Sequence, residues 1–205
     1  MQTDGYAGYN QVLARQDIIG VACMAHCRRE FVEARPYEPE LAEWMLTRVQ
    51  KLYDIERQAR VQNLTFEQRY ELRQQCAVPV LEELESWLHE QMRKVLPKSK
   101  IGRAIAYVLG QWQRMKRYVT DGRLEIDNNL IENAVRPVAL GRKNYLFAGS
   151  HNGARRAAVI YTMVANAKIH GLEPWTYLRD VLSRIADYPH KNLADLLPKN
   201  WQPAK

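Results

Sequence analysis

The segment Asp127-Asn128-Asn129-Leu130-Ile131-Glu132-Asn133-Ala134-Val135-Arg136-Pro137 sets one carboxylate between amides and a guanidinium. At helical pitch Asn128, Glu132 and Arg136 lie one turn apart and share a face. Leu130, Ile131, Ala134 and Val135 take the other side and predict a packed back. That face has the chemistry to hold a cation against an anionic substrate. An ordinary helix with Asp127 as N-cap and a solvated polar face has the same spacing. Spacing alone favours the ordinary helix.

The segment downstream of Glu132 shifts the balance. Residues 133–172 contain no Asp or Glu, yet they carry Arg136, Arg142, Lys143, Arg155, Arg156 and Lys168. The net charge of all 205 residues is +7, so nearly all the excess sits just after Glu132. A basic field beside a lone carboxylate suits a phosphate backbone. Tyr145, Phe147, Gly149 and Gly153 are interleaved, as in a loop lying close to nucleic acid. A solvated basic surface that binds nothing is the alternative; exclusion of every acid over such a length favours a polyanion.

These residues need elements to position them. Asp4, followed by Gly5 and two tyrosines, reads as the end of a strand whose beginning is absent. Ile18 to Met24 reads as a short buried strand, and Ala25 to Ala34 as a helix. After Pro36 and Pro39 the pattern is helical for some eighty residues. Leu41, Trp44, Met45, Val49, Leu52 and Tyr53 form one stripe. Thr65-Phe66-Glu67-Gln68 fits a capping box. The helix it opens carries Cys76, Val80, Leu84, Trp87, Leu88 and Val95, with Pro79 as a kink or break. Ser99 opens another with Ile101, Ile105, Val108, Trp112 and Met115 inward, and core packing is the better account of the tryptophans than a binding cage. Beyond the basic segment, Gly153 to His170 reads as a helix with Val159, Ile160, Met163, Val164 and Ala167 inward and Gly171 as its stop. Pro174 starts the next.

The composition is that of a globular protein of one domain or slightly more. No window approaches a membrane span and the N-terminus is no signal peptide. Three cysteines without a framework point to a reducing cytoplasm. Cys23, His26 and Cys27 cluster, but zinc would need a distant fourth ligand, so buried thiols are the better account.

Taken in order, Gln2-Thr3-Asp4-Gly5-Tyr6-Ala7-Gly8-Tyr9, Ala25-His26-Cys27-Arg28-Arg29-Glu30-Phe31, Asp127-Asn128-Asn129 with Glu132, Arg136-Pro137 and Gly141-Arg142-Lys143-Asn144 resemble the insertion-sequence-66 family of bacterial transposases. Leu196-Leu197-Pro198-Lys199-Asn200-Trp201 is similar to that family's C-terminal end. The resemblance implies a DDE recombinase with a ribonuclease-H-like fold, in which three carboxylates hold two Mg²⁺ ions for phosphoryl transfer on DNA. It makes Asp4 the second acid and Glu132 the third, both catalytic and metal-binding. The first acid has no counterpart, and Asp17, Asp54 and Asp121 do not match its motif; it is expected upstream of Met1, which leaves the two-metal site incomplete. Asn128 and His26 become supporting residues around the carboxylates. Arg136, Arg142, Lys143, Arg155 and Arg156 become the DNA contacts.

The resulting expectation is a mostly α-helical chain with an α/β remnant. Residues 1–36 are a ribonuclease-H-like core remnant, 37–122 a helical insertion, 123–186 the catalytic helix and basic return segment, and 187–205 a tail. The expected function is DNA transposition by Mg²⁺-dependent strand cleavage and transfer, with the chain a truncated part of the transposase and inactive alone. Expected partners are DNA, further copies or full-length transposase, and element-encoded helpers, without a membrane. A non-catalytic DNA-binding fragment acting as decoy or regulator is the second reading. An unrelated basic helical nucleic-acid-binding protein is the third, and the ordered motif blocks argue against it.

Overall fold

Two short parallel strands open the fold, β1 (Gln2–Thr3) and β2 (Val21–Ala22), with Gln2 opposite Val21 and Thr3 opposite Ala22. The structure is a computed structural model that describes residues 1–204. Parallel neighbours need a long crossover. It is made by a 3-10 turn (Ala7–Tyr9) and the short helix α1 (Asn10–Leu13). The strand expected over residues 18–24 is therefore shorter. It pairs only with a two-residue neighbour, and Met24 already belongs to α2 (Met24–Ala34).

The chain divides into two compact units, Met1–Asn129 and Leu130–Lys205. The first is built on α2 and on α3 (Pro39–Val61), α4 (Phe66–Leu72), α5 (Val78–Met92) and α6 (Lys100–Met115). As the periodicity predicts, this stretch is helical, and no strand falls within 41–53. Thr65 forms the full capping box with Gln68, and the Ser99 hydroxyl accepts from the Gly102 N–H. Met45, Val49 and Leu52 of α3, Leu84 and Leu88 of α5, and Ile105 and Val108 of α6 are fully buried with Cys27 and Phe31 of α2. Trp44 stacks on Trp87 at 4.4 Å between ring centres, and Trp112 is buried.

One stripe differs from its expectation. A π-helical turn, Arg73–Ala77, joins α4 to α5. Such a turn holds an extra residue against the α-helical pitch. It carries Ala77 and Leu81 into the core and leaves Cys76 exposed.

The same turn holds a buried charge cluster that the sequence did not announce. Glu56 of α3 is 1% exposed and Arg73 is fully buried. Arg73 donates to Glu56 Oε1 at 2.7 Å and to Oε2 at 3.0 Å, and Arg69 donates twice to Oε2 at 3.0 and 2.6 Å. Arg69 also grips Glu125 with both terminal nitrogens, at 2.9 and 2.8 Å. The remaining donors go to backbone carbonyls: Arg73 to Tyr118, Asp121 and Leu124, and Arg69 to Gly122. Two guanidinium groups thus fix the segment that leads from α6 towards Asp127. Burial raises the cost of the Glu56 charge, but the hydrogen bonds from Arg73 and Arg69 outweigh it and hold its carboxyl below the usual range.

The second unit contains α7 (Asn129–Tyr145, from its second residue onward), α8 (His151–Ile169), α9 (Pro174–Arg184) and a 3-10 segment, His190–Leu196. Its core is small: Ala167, Tyr177, Val181 and Leu196, with Met163, Leu178 and Trp201 against it. The Tyr177 hydroxyl donates to the Leu196 carbonyl at 2.8 Å, and Trp201 Nε1 donates to Asp180 at 2.7 Å. Gly171 has φ +71° just past α8, the left-handed stop expected of it.

Two expectations change here. The basic segment is not a loop, because α7 runs through Pro137 to Tyr145 and the Ser150 hydroxyl caps α8 from the Gly153 N–H. The apolar back of α7 is not packed within this unit. Leu130, Ile131 and Val135 are 68%, 58% and 54% exposed, whereas Val138, Arg142 and Tyr145 in the C-terminal half line a cavity shared with α8. Val159 and Ile160 of α8 are exposed as well. Among the described residues no helix is long and apolar enough to cross a membrane.

Candidate functional site

Asp4 follows β1 directly, and Cys23 follows β2, so the two stand at neighbouring C-terminal strand ends. Carboxyl ends of parallel strands are where open α/β folds place ligands. Gly5 turns the chain away at φ +83°, and a Cβ there would stand 3.0 Å from the Tyr107 hydroxyl. Tyr107 of α6 donates to the Asp4 carbonyl at 2.9 Å, and Asp4 Oδ1 accepts from the Tyr6 N–H at 3.0 Å. A carboxylate has about four acceptor sites, so this bond leaves it capacity for a cation. Burial, with the charges of Cys27, Glu30, Cys23 and Asp4 adding, pushes the Tyr107 hydroxyl up to about 12.

His26 lies in the first turn of α2, half-buried, beside the same strand end. Residues 125–128 dock there too. Met24 N–H donates to the Ile126 carbonyl at 3.0 Å, Gln2 Nε2 donates to the Glu125 carbonyl at 2.8 Å, and Asn128 N–H meets Cys23 Sγ at 3.5 Å. Asn128 is 8% exposed, and its Oδ1 is buried without a hydrogen-bond partner among the described residues. Asp127 accepts from the backbone N–H and side-chain amide of Asn129, a turn just ahead of α7 rather than the N-cap expected of it, and from the Tyr53 hydroxyl at 3.2 Å. Burial and the Asp127 charge raise the Tyr53 hydroxyl far above its ordinary value.

Asp4, His26 and Asn128 therefore converge on one end of the strand pair. Glu132 comes one helical turn after Asn128 and is half-buried on α7. Arg136, Arg142 and Lys143 on α7 and Arg155 and Arg156 on α8 are all exposed. For Tyr53, Tyr107 and Gln2 no local signal in the sequence announced the hydrogen bonds they make here. Each acts through a contact distant along the chain.

Hard cations take oxygen donors, and within the first unit Asp4 offers a carboxylate and Asn128 Oδ1 a buried oxygen without a partner among the described residues. The thiols do not compete, because burial pushes both Cys23 and Cys27 up. Among the described residues no group of three or more His, Cys, Asp or Glu is placed to hold a metal ion.

Comparison with known proteins gives a consistent picture. The family described as "Transposase IS66 family" matches residues 1–156, and "IS66 C-terminal element" matches residues 162–199. Three relatives come from Sinorhizobium fredii (strain NBRC 101917 / NGR234). "Uncharacterized protein y4hP" is 34% identical over 222 residues, covering 100% of this chain and 40% of the relative. "Uncharacterized protein y4jD" is 34% identical over 213 residues, covering 98% and 41%. "Uncharacterized protein y4qI" is 32% identical over 212 residues, covering 99% and 39%. The chain spans about two fifths of the length of these curated relatives. No solved structure matches it.

Proposed function

Because this chain belongs to the IS66 family of transposases, we propose that it serves DNA transposition as part of a DDE transposase that cuts and joins DNA with Mg²⁺. The observation that carries the DNA part is the exposed basic surface of α8 and of α7 beyond Glu132, where no Asp or Glu occurs from 133 to 172. In this reading β1, β2 and α2 belong to a ribonuclease-H-like core remnant over residues 1–36. Residues 37–122 are an insertion, 123–186 bring the catalytic helix and its basic return, and 187–205 are the tail. Asp4 and Glu132 hold the metal, and Asn128 and His26 support the carboxylates. Bound Mg²⁺ supplies activation of the attacking hydroxyl and stabilisation of the leaving oxygen. Arg136, Arg142, Lys143, Arg155 and Arg156 hold phosphates and set the register of the duplex.

The DNA contact has a direct measurement. Binding should weaken log-linearly with salt and show little sequence preference, since phosphates carry no sequence. Each neutralised phosphate contributes about −0.9 to the slope on duplex DNA. Arg142→Ala with Lys143→Ala should therefore lower its magnitude by about two. An unchanged slope moves the binding surface elsewhere.

The shared metal is tested by iron-directed cleavage. Fe²⁺ with ascorbate and peroxide cuts a polypeptide beside its ligands. Cuts should appear near both Asp4 and Glu132, fade with excess Mg²⁺, and disappear in Glu132→Gln. Cuts beside one acid alone would defeat the assignment.

The missing cluster of three donors among the described residues favours a second reading. The chain would then bind element ends, or join full-length transposase, as a decoy or regulator that cuts nothing.

A further inference from the structure

The turn between α7 and α8 is built to present an aromatic side chain. Residues 146–150 make it, with Leu146 at φ +61° and Gly149 at φ +75°. A branched-chain residue in the left-handed region is strained, and such strain gathers at functional sites. The turn is held closed: Leu146 N–H donates to the Arg142 carbonyl at 2.9 Å and Gly153 N–H to the Ser150 hydroxyl at 3.0 Å. Gly153 is required, because a Cβ there would stand 2.2 Å from the Ala148 carbonyl oxygen. At the tip Phe147 is 75% exposed and Leu146 70%. Solvent alone gives no reason to hold a phenyl ring in that position.

Beneath the tip a cavity of about 390 Å³ opens between the helices. Val138, Arg142, Tyr145, Phe147, Ala158 and Tyr161 line it. No carboxylate borders it. The Tyr145 and Tyr161 hydroxyls lie 3.2 Å apart, a pair able to donate and accept. Aromatic rings, one guanidinium and two hydroxyls form the set that receives a planar heterocycle attached to a phosphate. The surrounding charge selects the same guest, since Arg136, Lys143, Arg155 and Arg156 are exposed on these two helices, and no acid occurs from 133 to 172.

We infer that the α7–α8 hairpin is a pocket for an unstacked DNA base, taken from a distorted or unpaired site. Phe147 and Tyr145 supply the stacking surfaces, and Arg142 holds the flanking phosphate. The inference rests on the DNA-binding reading above and specifies the form of DNA recognised. Neither the acids nor a metal takes part, so binding alone tests it.

The experiment compares a perfect duplex, the same duplex with one bulged nucleotide, and a single strand, each with the 205-residue chain over a range of salt. A 2-aminopurine at the bulge reports stacking through fluorescence quenching. Base–aromatic stacking predicts bulged DNA bound on the order of tenfold more tightly than perfect duplex, with quenching. Phe147→Ala and Tyr145→Ala should each remove most of that preference and the quenching. The salt slope should track Arg142 and Lys143 instead. A single strand bound as tightly as the bulge identifies unpaired DNA as the source; a preference for the bulge identifies a base drawn from a duplex. Equal affinity for bulged and perfect duplex with a steep salt slope overturns the pocket and leaves the DNA reading standing. Absence of salt-dependent binding to any of the three overturns the DNA reading itself. A bulge preference that survives both substitutions places the base elsewhere and also overturns the pocket.

Discussion

Glu56→Ala is expected to cost the first unit about 3–5 kcal/mol, the scale for removing one partner of a buried ion pair. The loss is not that of one contact. Arg73 is fully buried, and its Nε, which donates to Glu56, would lose its acceptor in the interior. Arg69 would keep Glu125, so it should suffer less. Denaturant unfolding checks this, and a loss below about 1 kcal/mol would show that the cluster is solvated. A triple change, Glu56→Leu with Arg69→Met and Arg73→Met, should recover part of the loss, because apolar replacements of a whole buried network are often tolerated. The pH dependence has a definite sign. The Glu56 carboxyl is lowered in the folded state, so its contribution is present above its unfolded value and disappears as pH falls through the lowered folded one. Stability should therefore decline on the acid side of the ordinary carboxylate range.

The second large effect is in catalysis. The 205-residue chain is expected to give no nicking or strand transfer on DNA carrying the element's ends, with Mg²⁺ or Mn²⁺ present. In the proposed reading Asp4 and Glu132 are the residues of this chain assigned to the three-carboxylate set. In metal-dependent phosphoryl transfer, positioning and charge neutralisation supply nearly all of the acceleration. A set lacking one carboxylate loses both at once. A gel assay for nicked and joined products reads the outcome. Metal-dependent nicking by the purified chain, abolished by Glu132→Gln, would show that the donor set is complete.

What could be read from the sequence was what neighbours in the chain decide. Thr65 with Gln68, Ser99, Gly171 and Pro174 mark helix ends through contacts within a few residues, and each occupies its expected place. The stripe from Leu41 to Tyr53 is equally local. Arg69, Arg73 and Glu56 were illegible because charged residues ordinarily face water; only their meeting across α3, α4 and the turn to α5 explains their burial. The second helix misled for a related reason. A single extra residue in the π turn replaced Cys76 with Ala77 in the core. Around the strand ends, Asp4, His26 and Asn128 stand in motif blocks of the sequence, whereas the hydrogen bonds of Tyr53, Tyr107 and Gln2 join residues 74, 103 and 123 positions apart. Whether Asp4 and Glu132 act together belongs to the iron-cleavage test.

The turn Arg73–Ala77 also fixes the tolerance of this gene to a lost codon. An α-helix rotates by about 100° per residue, from 3.6 residues per turn. Deleting one residue there would let ordinary helix run unbroken from α4 into α5. Everything beyond would then swing by about that angle. Leu81, Leu84 and Leu88 would leave the core if Arg69 and Arg73 kept Glu56; if the leucines held their places, the guanidinium groups would be pulled from their carboxylate. One surplus residue lets a single rod satisfy an ionic register at one end and a hydrophobic register at the other. In-frame deletions at this position should therefore be absent from functional descendants of the chain, while deletions in the exposed turn at 62–63 need not be.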